Sequence, residues 1–146
     1  MATYKFKFQK VLEYRRNIED QKKLILSKNM KKYFNEKKAL ENLYRSLDKS
    51  SETLQKQTIS GTTIAELRNI HEGQSFYREG IKQKIIDVAK AEEEVNMSRN
   101  DLITAMKNKK TLEKLNEIQY DQFLYHEKHK YEKHIDELTT FKYSRK

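Results

Sequence analysis

The sequence "QTISGTTIAEL", residues 57–67, is where a helix-stop signal is followed at once by a helix-start signal. Gly61 can end a helix because glycine adopts the left-handed backbone conformation without steric cost. Thr63, with Glu66 three positions later, has the spacing of a capping box, in which each side chain accepts a backbone N–H of the other residue. The stretch therefore predicts a turn at about residues 58–63 between two helices.

The composition of the chain favours long helices. Its 146 residues include three glycines and no proline, the residues that most often break a helix. Charged and hydrophobic residues each make up 36% of the chain, which leaves little apolar material for a thick core. Such a composition also occurs in disordered chains, but the regular spacing of the apolar residues argues against disorder here.

The apolar positions recur at heptad spacing on both sides of the turn. The clearest run in the first helix, about residues 4–57, advances in steps of 3, 4 and 7 and consists of Leu40, Leu43, Leu47 and Leu54. Other core positions of that helix are polar, namely Arg15, Lys22, Asn29 and Glu36. The seam of the second helix, about residues 64–143, consists of Ile81, Ile85, Val88, Val95, Leu102, Met106, Leu112 and Leu115.

Two amphipathic helices joined by a short turn bury both apolar stripes when they pack antiparallel. We therefore predict one all-α domain over residues 1–146, a long antiparallel two-helix coiled coil or α-helical hairpin. If Gln57 lies opposite Ile64, residue 5 lies opposite residue 116. The C-terminal helix is then predicted to overhang the first helix from about Glu117 onward.

Charge and hydropathy limit the location and the partners. The chain has no cysteine, no apolar signal segment and no stretch of about 20 apolar residues, so we predict a cytoplasmic protein without disulfides. The net charge is +9, and the excess of Lys and Arg lies in residues 1–32 and 107–146. We expect these two ends to meet and to attract an acidic partner.

The residues needed for catalysis or metal binding do not form a recognisable pattern. The sequence lacks a glycine-rich phosphate loop, a nucleophile elbow and a cysteine nucleophile, so we predict neither an enzyme nor a cofactor. His126 and His129 are three residues apart, with His134 following, but Lys130 stands where a metalloprotease helix has its second histidine. We therefore predict no metal site.

The stretch "KTLEKLNEIQYDQFLYHEKHKYEKHIDEL", residues 110–138, is rich in aromatic residues. With Phe141 just beyond it, it contains a broken apolar stripe at helical spacing, made of Tyr120, Phe123, Leu124, Tyr131, Ile135, Leu138 and Phe141. Because most of this stretch has no predicted partner within the chain, we expect it to contact another protein. The alternative is packing on an extended first helix or in a dimer.

Two stretches resemble the signatures of the flagellar export protein FliJ family. The segment "YKFKFQKVLEYRRNIEDQKKLIL", residues 4–26, is similar to the N-terminal signature of that family. The segments "KTLEKL", residues 110–115, and "HIDEL", residues 134–138, are similar to its C-terminal signature. The resemblance implies a non-enzymatic coiled coil, similar to the stalk of rotary ATPases. It would be a soluble part of the flagellar type III export apparatus, on the cytoplasmic side of the inner membrane at the flagellar base.

The resemblance also implies the partners. The end with the chain termini would enter the ring of the hexameric export ATPase FliI and promote its assembly, and the end near the turn would contact the export gate protein FlhA. FliH and export chaperones are further partners that it implies, with a role as chaperone escort. The candidate ATPase contacts are Lys110, Leu112, Lys114, Leu115, Lys133, Asp136 and Glu137. The candidate gate contacts are Leu43, Tyr44, Leu47, Phe76, Tyr77 and Ile81.

Three other functions fit parts of the sequence. One is the equivalent stalk of a virulence type III secretion system. Another is a basic coiled-coil protein that binds nucleic acid, although the interleaving of lysines with Glu and Asp is typical of the solvated face of a coiled coil. A third is a structural coiled-coil dimer. We predict that the isolated chain is a monomer. We also predict that it binds other proteins and binds neither nucleic acid nor a small-molecule substrate.

Overall fold

A computed structural model of the chain describes residues 2–145, and within that range all regular structure is α-helical. Helix α1 spans Gln9–Ser60 and has 52 residues. Helix α2 spans Ile64–Ser144 and has 81 residues. The two helices pack against each other and run antiparallel, since later residues of α1 contact earlier residues of α2. The predicted all-α helical hairpin is confirmed.

The connection between the helices is Gly61, Thr62 and Thr63, and it has the predicted capping geometry. Gly61 has a φ of 90°, in the left-handed region that favours glycine. The Glu66 N–H donates to Thr63 Oγ1 at 3.3 Å, and the Thr63 N–H donates to Glu66 Oε2 at 3.5 Å. The Thr62 hydroxyl also donates to Glu66 Oε2, at 2.6 Å, and this bond holds the pKa of the carboxyl below its ordinary value.

The start of α1 differs from the prediction. The sequence predicted a helix from about residue 4, but α1 begins at Gln9. A turn precedes it, in which the Gln9 N–H donates to the Phe6 carbonyl at 3.2 Å. We call residues 2–8 the strap. The prediction is wrong here: residues 2–8 are not helical, and in this conformation Phe6 is buried and Tyr4 packs on Tyr120 of α2.

The chain divides into two compact units, each of which contains parts of both helices. Unit 1 comprises Met1–Gln21 and Ile103–Lys146, and unit 2 comprises Lys22–Leu102. The core of unit 2 includes Ile81, Ala91 and Val95, all buried. The core of unit 1 includes Leu12, which is 1% exposed, together with Phe6 and Ala105.

Polar positions in the seam of unit 2 are occupied by pairs that join the two helices. The Asn29 amide donates to the Ser98 hydroxyl at 2.6 Å. The Lys84 ammonium lies 2.7 Å from a Glu36 carboxylate oxygen, and this hydrogen bond raises the pKa of Lys84 above its ordinary value. Polar residues at core positions of a coiled coil favour one register, because a shifted register would leave them unpaired.

Unit 1 contains a more deeply buried pair of the same kind. The Lys109 ammonium lies 2.7 Å from a Glu19 carboxylate oxygen, and the two side chains are 20% and 5% exposed. Glu113 lies 3.9 Å from the same ammonium group. A buried carboxylate needs such a partner, since an unpaired charge in the interior is strongly destabilising.

Candidate protein-interaction sites

The first set of candidate ATPase contacts lies on α2 in unit 1. Lys110 and Lys114 are exposed, whereas Leu112 and Leu115 are half-buried. Lys110, Lys114 and Leu115 line one shallow groove, which also includes the exposed Ile118. This surface offers an apolar floor with basic groups beside it, which suits a protein partner with apolar and acidic side chains.

The second set lies further along α2. Lys133, Asp136 and Glu137 are exposed and line one shallow groove together with Phe141. The Arg145 guanidinium lies 4.7 Å from the centre of the Phe141 ring, within the range of a cation–π contact. The helix thus brings an aromatic ring and charges of both signs to one place.

The first groove precedes the C-terminal segment of α2, and the second lies within it. Nothing in the described chain covers that segment. Residues 128–145 are all exposed, and we call this segment the tip. Its large apolar side chains face solvent, namely Tyr131, Ile135, Leu138, Phe141 and Tyr143. Exposed apolar stripes of this kind commonly mark contact surfaces.

Two members of the predicted apolar stripe do have a partner within the chain. The centre of the Tyr4 ring lies 5.2 Å from that of Tyr120 and 5.5 Å from that of Phe123. The Tyr4 hydroxyl donates to Asn116, with its oxygen 2.7 Å from the side-chain oxygen and 3.2 Å from the carbonyl oxygen. This cluster was not predicted, although the pairing of residue 5 with residue 116 came close to it. The signal that could have indicated it is the alternation of Tyr4, Phe6 and Phe8 before α1.

Two histidines of α2, His126 and His129, take part in aromatic contacts. The Tyr125 ring is parallel to that of His129, with centres 6.2 Å apart, and meets that of His126 edge-on at 5.8 Å. Across residues 2–145, no group of three or more His, Cys, Asp or Glu side chains is placed to hold a metal ion.

The candidate gate contacts lie in unit 2 and differ in exposure. Tyr44 and Phe76 are exposed, and the Phe76 ring meets the Tyr77 ring edge-on at 6.0 Å. Leu43 and Leu47 are half-buried. Ile81 is only 7% exposed and belongs to the core, so its inclusion as a contact is corrected: a side chain that packs inside the hairpin has no surface for a partner.

A groove beside Tyr44 was not predicted. Phe34 and Tyr44, both exposed, line it together with Leu40 and Val88. Its polar rim consists of Lys37, Lys38, Glu41, Asn42 and Arg45. The sequence showed the hydrophobic residues of α1 but not that Phe34 lies outside the seam.

A family model described as "Flagellar FliJ protein" matches residues 4–146. The chain belongs to the FliJ family. The predicted membership of the FliJ family is therefore confirmed. Neither the curated proteins nor the solved structures gave a match to the chain.

Membership of the FliJ family makes the chain a component of flagellar type III protein export, with the coiled-coil structure described above. The family is a non-catalytic part of the export apparatus, which agrees with the kinds of site found here: exposed apolar stripes and charged grooves on two helices. Neither helix of the described chain has the combination of length and apolar character that spanning a membrane requires.

Proposed function

We propose that this FliJ-family chain is a stalk that binds the export ATPase FliI through unit 1 and the export gate protein FlhA through unit 2. In this role it promotes assembly and activity of the ATPase ring and couples the ring to the gate. The observation that carries the proposal is the tip, an amphipathic helical segment with solvent on all sides in a chain that matches the family model over residues 4–146.

The charge and the apolar surface of unit 1 support its role as the ATPase contact. Lys110, Lys114 and Lys133 are exposed on α2 and can attract acidic loops of a partner over several ångströms. Exposed aromatic side chains such as Tyr131 and Phe141 can then bury apolar area in the contact. In protein interfaces, complementary charges usually attract the partner, and aromatic residues are then buried in the core of the contact.

The exposed aromatic residues of unit 2 support its role as the gate contact. Phe76 is 73% exposed and Tyr44 is 45% exposed, although both lie next to half-buried positions of the hairpin. Leu43, Leu47 and Tyr77 supply the apolar surroundings of such a contact. FliH and export chaperones are further proposed partners, and the proposed location is the cytoplasmic side of the inner membrane at the flagellar base.

The ATPase contact is tested by reversing three charges. The variant Lys110→Glu, Lys114→Glu, Lys133→Glu is co-purified with FliI, and the rate of ATP hydrolysis is measured. We expect stimulation of hydrolysis to fall at least about tenfold, since each reversal turns attraction into repulsion. Unchanged stimulation would rule out these lysines as the contact.

The matched control reverses three exposed lysines of unit 2, in the variant Lys49→Glu, Lys56→Glu, Lys82→Glu. Lys82 lies 3.4 Å from Glu79, just as Lys114 lies 3.4 Å from Glu117, so each triple variant breaks one surface ion pair. The two variants therefore have the same net charge, and the substitutions should lower helix stability by a similar amount in each. Stimulation should survive in the control, and its loss there would mean that only net charge matters.

The gate contact is tested with the double variant Tyr44→Ala, Phe76→Ala. We expect binding to the cytoplasmic region of FlhA to weaken at least about tenfold, because buried aromatic anchors dominate interface energies. The control is Met97→Ala, which removes another exposed apolar side chain of unit 2. Equal binding by all three proteins would exclude Tyr44 and Phe76 as anchors.

A further inference from the structure

The strap is attached to α2 through a small number of groups. Among the residues that the structure describes, the hydrogen bonds from the strap to α2 both come from the Tyr4 hydroxyl. The Tyr4 ring also packs on Tyr120 and Phe123. We call Asn116, Tyr120 and Phe123 the platform. Within residues 2–5 of the strap, the hydrogen bonds and ring contacts to α2 therefore come from Tyr4.

The other residues of the strap differ in burial, and only Phe6 among them is buried. Lys5 and Lys7 are exposed, and Phe8 is about one-third exposed at 36%. Phe6 is buried, but it sits next to the turn that leads into α1 and can stay in place while residues 2–5 leave. The conformational entropy that residues 2–5 lose when they become ordered opposes their attachment to α2. Segments with few buried contacts open locally without unfolding the remainder of a protein.

Opening the strap would expose a surface with defined chemistry. The platform offers two ring faces, from Tyr120 and Phe123, beside two oxygen acceptors of Asn116. An aromatic side chain with a hydroxyl donor satisfies both features, and Tyr4 is such a side chain. Phenylalanine would leave the acceptors without a donor, whereas lysine would supply a donor without a ring.

We propose that the strap is a releasable cover over the platform, and that a tyrosine side chain of the partner protein replaces Tyr4 there. The platform lies between the two candidate ATPase patches, Lys110–Leu115 and Lys133–Glu137. A partner that binds both patches would therefore also contact the platform. The replacement step rests on the proposed contact between unit 1 and the export ATPase. Release of the strap does not, since it is a property of the chain alone.

Release is tested with an aminopeptidase, which can remove residue 4 only when residues 2–5 leave α2. The rate of removal of residue 4 is followed by mass spectrometry in wild type, Tyr4→Ala and Asn116→Ala, each normalised to a synthetic peptide of residues 2–12 of the same protein. We expect cleavage about tenfold faster in both variants, because each loses the hydroxyl–amide bond and Tyr4→Ala also loses the ring contacts. Tyr14→Ala, which removes an exposed tyrosine of α1, should match wild type. Equal rates in all four proteins would overturn the releasable cover.

Replacement is tested by measuring the affinity of the same proteins for the export ATPase by calorimetry. A closed strap lowers the apparent affinity by the fraction of molecules that are open, so Tyr4→Ala should bind several-fold more tightly than wild type. Asn116→Ala also opens the strap, but it removes the side-chain acceptor that the incoming tyrosine needs. It should therefore bind no more tightly than wild type, although its strap is cleaved quickly.

The outcomes separate the two proposals. Weaker or unchanged binding by Tyr4→Ala would overturn replacement, and equal gains in Tyr4→Ala and Asn116→Ala would overturn the choice of tyrosine as the occupant. If neither wild type nor Tyr4→Ala binds the ATPase, the proposed ATPase contact fails and replacement fails with it. The aminopeptidase rates still decide whether residues 2–5 of the strap are releasable.

Discussion

Along α2, the part that packs against α1 buries some of its side chains, whereas the tip buries none of them. In the packed part the buried residues include small ones, with Ala91 and Ala105 only 2% and 5% exposed. In the tip the large aromatic residues Tyr131 and Phe141 are 66% and 56% exposed. Small residues let two helices approach closely, whereas exposed aromatic residues contribute nothing to the hairpin by themselves. The comparison indicates that the apolar content of the tip is available for partners.

The largest expected effect is on the buried ion pair of the packed part. The substitution Lys109→Ala leaves the Glu19 carboxylate, 5% exposed, without the ammonium 2.7 Å away. We expect the free energy of unfolding in urea to fall by about 1.5–3 kcal/mol, since the variant loses a short, largely buried ion pair. Lys133→Ala in the tip, the same substitution on the same helix, should leave it unchanged. Equal losses would contradict the comparison.

The next largest effect concerns the small residues of the seam. Ala105→Leu adds three carbon atoms at a position that is 5% exposed, so neighbouring side chains must move. We expect a loss of about 1–3 kcal/mol in unfolding free energy, measured by urea titration and circular dichroism. The control Thr140→Leu in the tip should cost nothing, and a loss there would show that the tip is packed.

A smaller effect of opposite sign is expected at Gly73 in the packed part of α2. A Cβ added there meets nothing within 4 Å, and alanine favours the helix more than glycine. Gly73→Ala should raise the thermal midpoint, with a gain of about 0.5–1 kcal/mol. Gly61→Ala is the matched control: at a φ of 90° the same substitution should lower the midpoint. A gain at both positions would refute the assignment of the turn.

The cap at the start of α2 should give a pH dependence of modest size. The pKa of Glu66 is lowered by hydrogen bonds in the folded protein, so its contribution to stability is present above the pKa of the unfolded chain. It is lost as the pH falls through the lower folded value. Stability of wild type and Glu66→Gln, measured by urea titration between about pH 6 and pH 3, should therefore converge on acidification. A constant difference over this range would mean that the Glu66 charge does not contribute.

The smallest effect on stability is expected in the tip itself. The double variant Tyr131→Ser, Phe141→Ser removes two large exposed rings and should change the free energy of unfolding by less than about 0.5 kcal/mol. Stimulation of the export ATPase by the same protein should nevertheless fall. Thermal denaturation and ATP hydrolysis measured on one preparation separate the two effects, and a large drop in thermal midpoint would show that the rings support the fold.

The fold was predictable where local signals determine it. Gly61 and the Thr63–Glu66 capping box specify the turn without reference to the rest of the chain. The heptad steps of α1 specify which face is buried, and polar core positions such as Asn29 find partners across the hairpin. Ile85, placed in the seam by its spacing, is 48% exposed because the apolar stripe of α2 is wider than the contact with α1.

The sites were less predictable, because they depend on contacts between residues far apart in the sequence. The pairing of residues across the turn predicted an overhang from about Glu117, and residues 128–145 are indeed exposed. The overhang begins later than predicted, because Tyr4 packs on Tyr120 and Phe123. The strap was not predictable, since its conformation depends on Tyr4 meeting Asn116, which is 112 residues away. For the same reason, the sequence did not distinguish Ile81 from Phe76 as a candidate gate contact, although only Phe76 is exposed.

The limited apolar contact between α1 and α2 also affects how the free energy of unfolding depends on temperature. The chain exposes 12144 Å² of accessible surface, whereas a compact protein of 17.6 kDa exposes about 7,900 Å². Unfolding therefore adds less newly hydrated apolar surface, and the heat-capacity change should lie below the usual value of about 12–15 cal/mol/K per residue. A small heat-capacity change flattens the curve of free energy against temperature. The free energy of unfolding of the hairpin should then change little between cold and warm conditions.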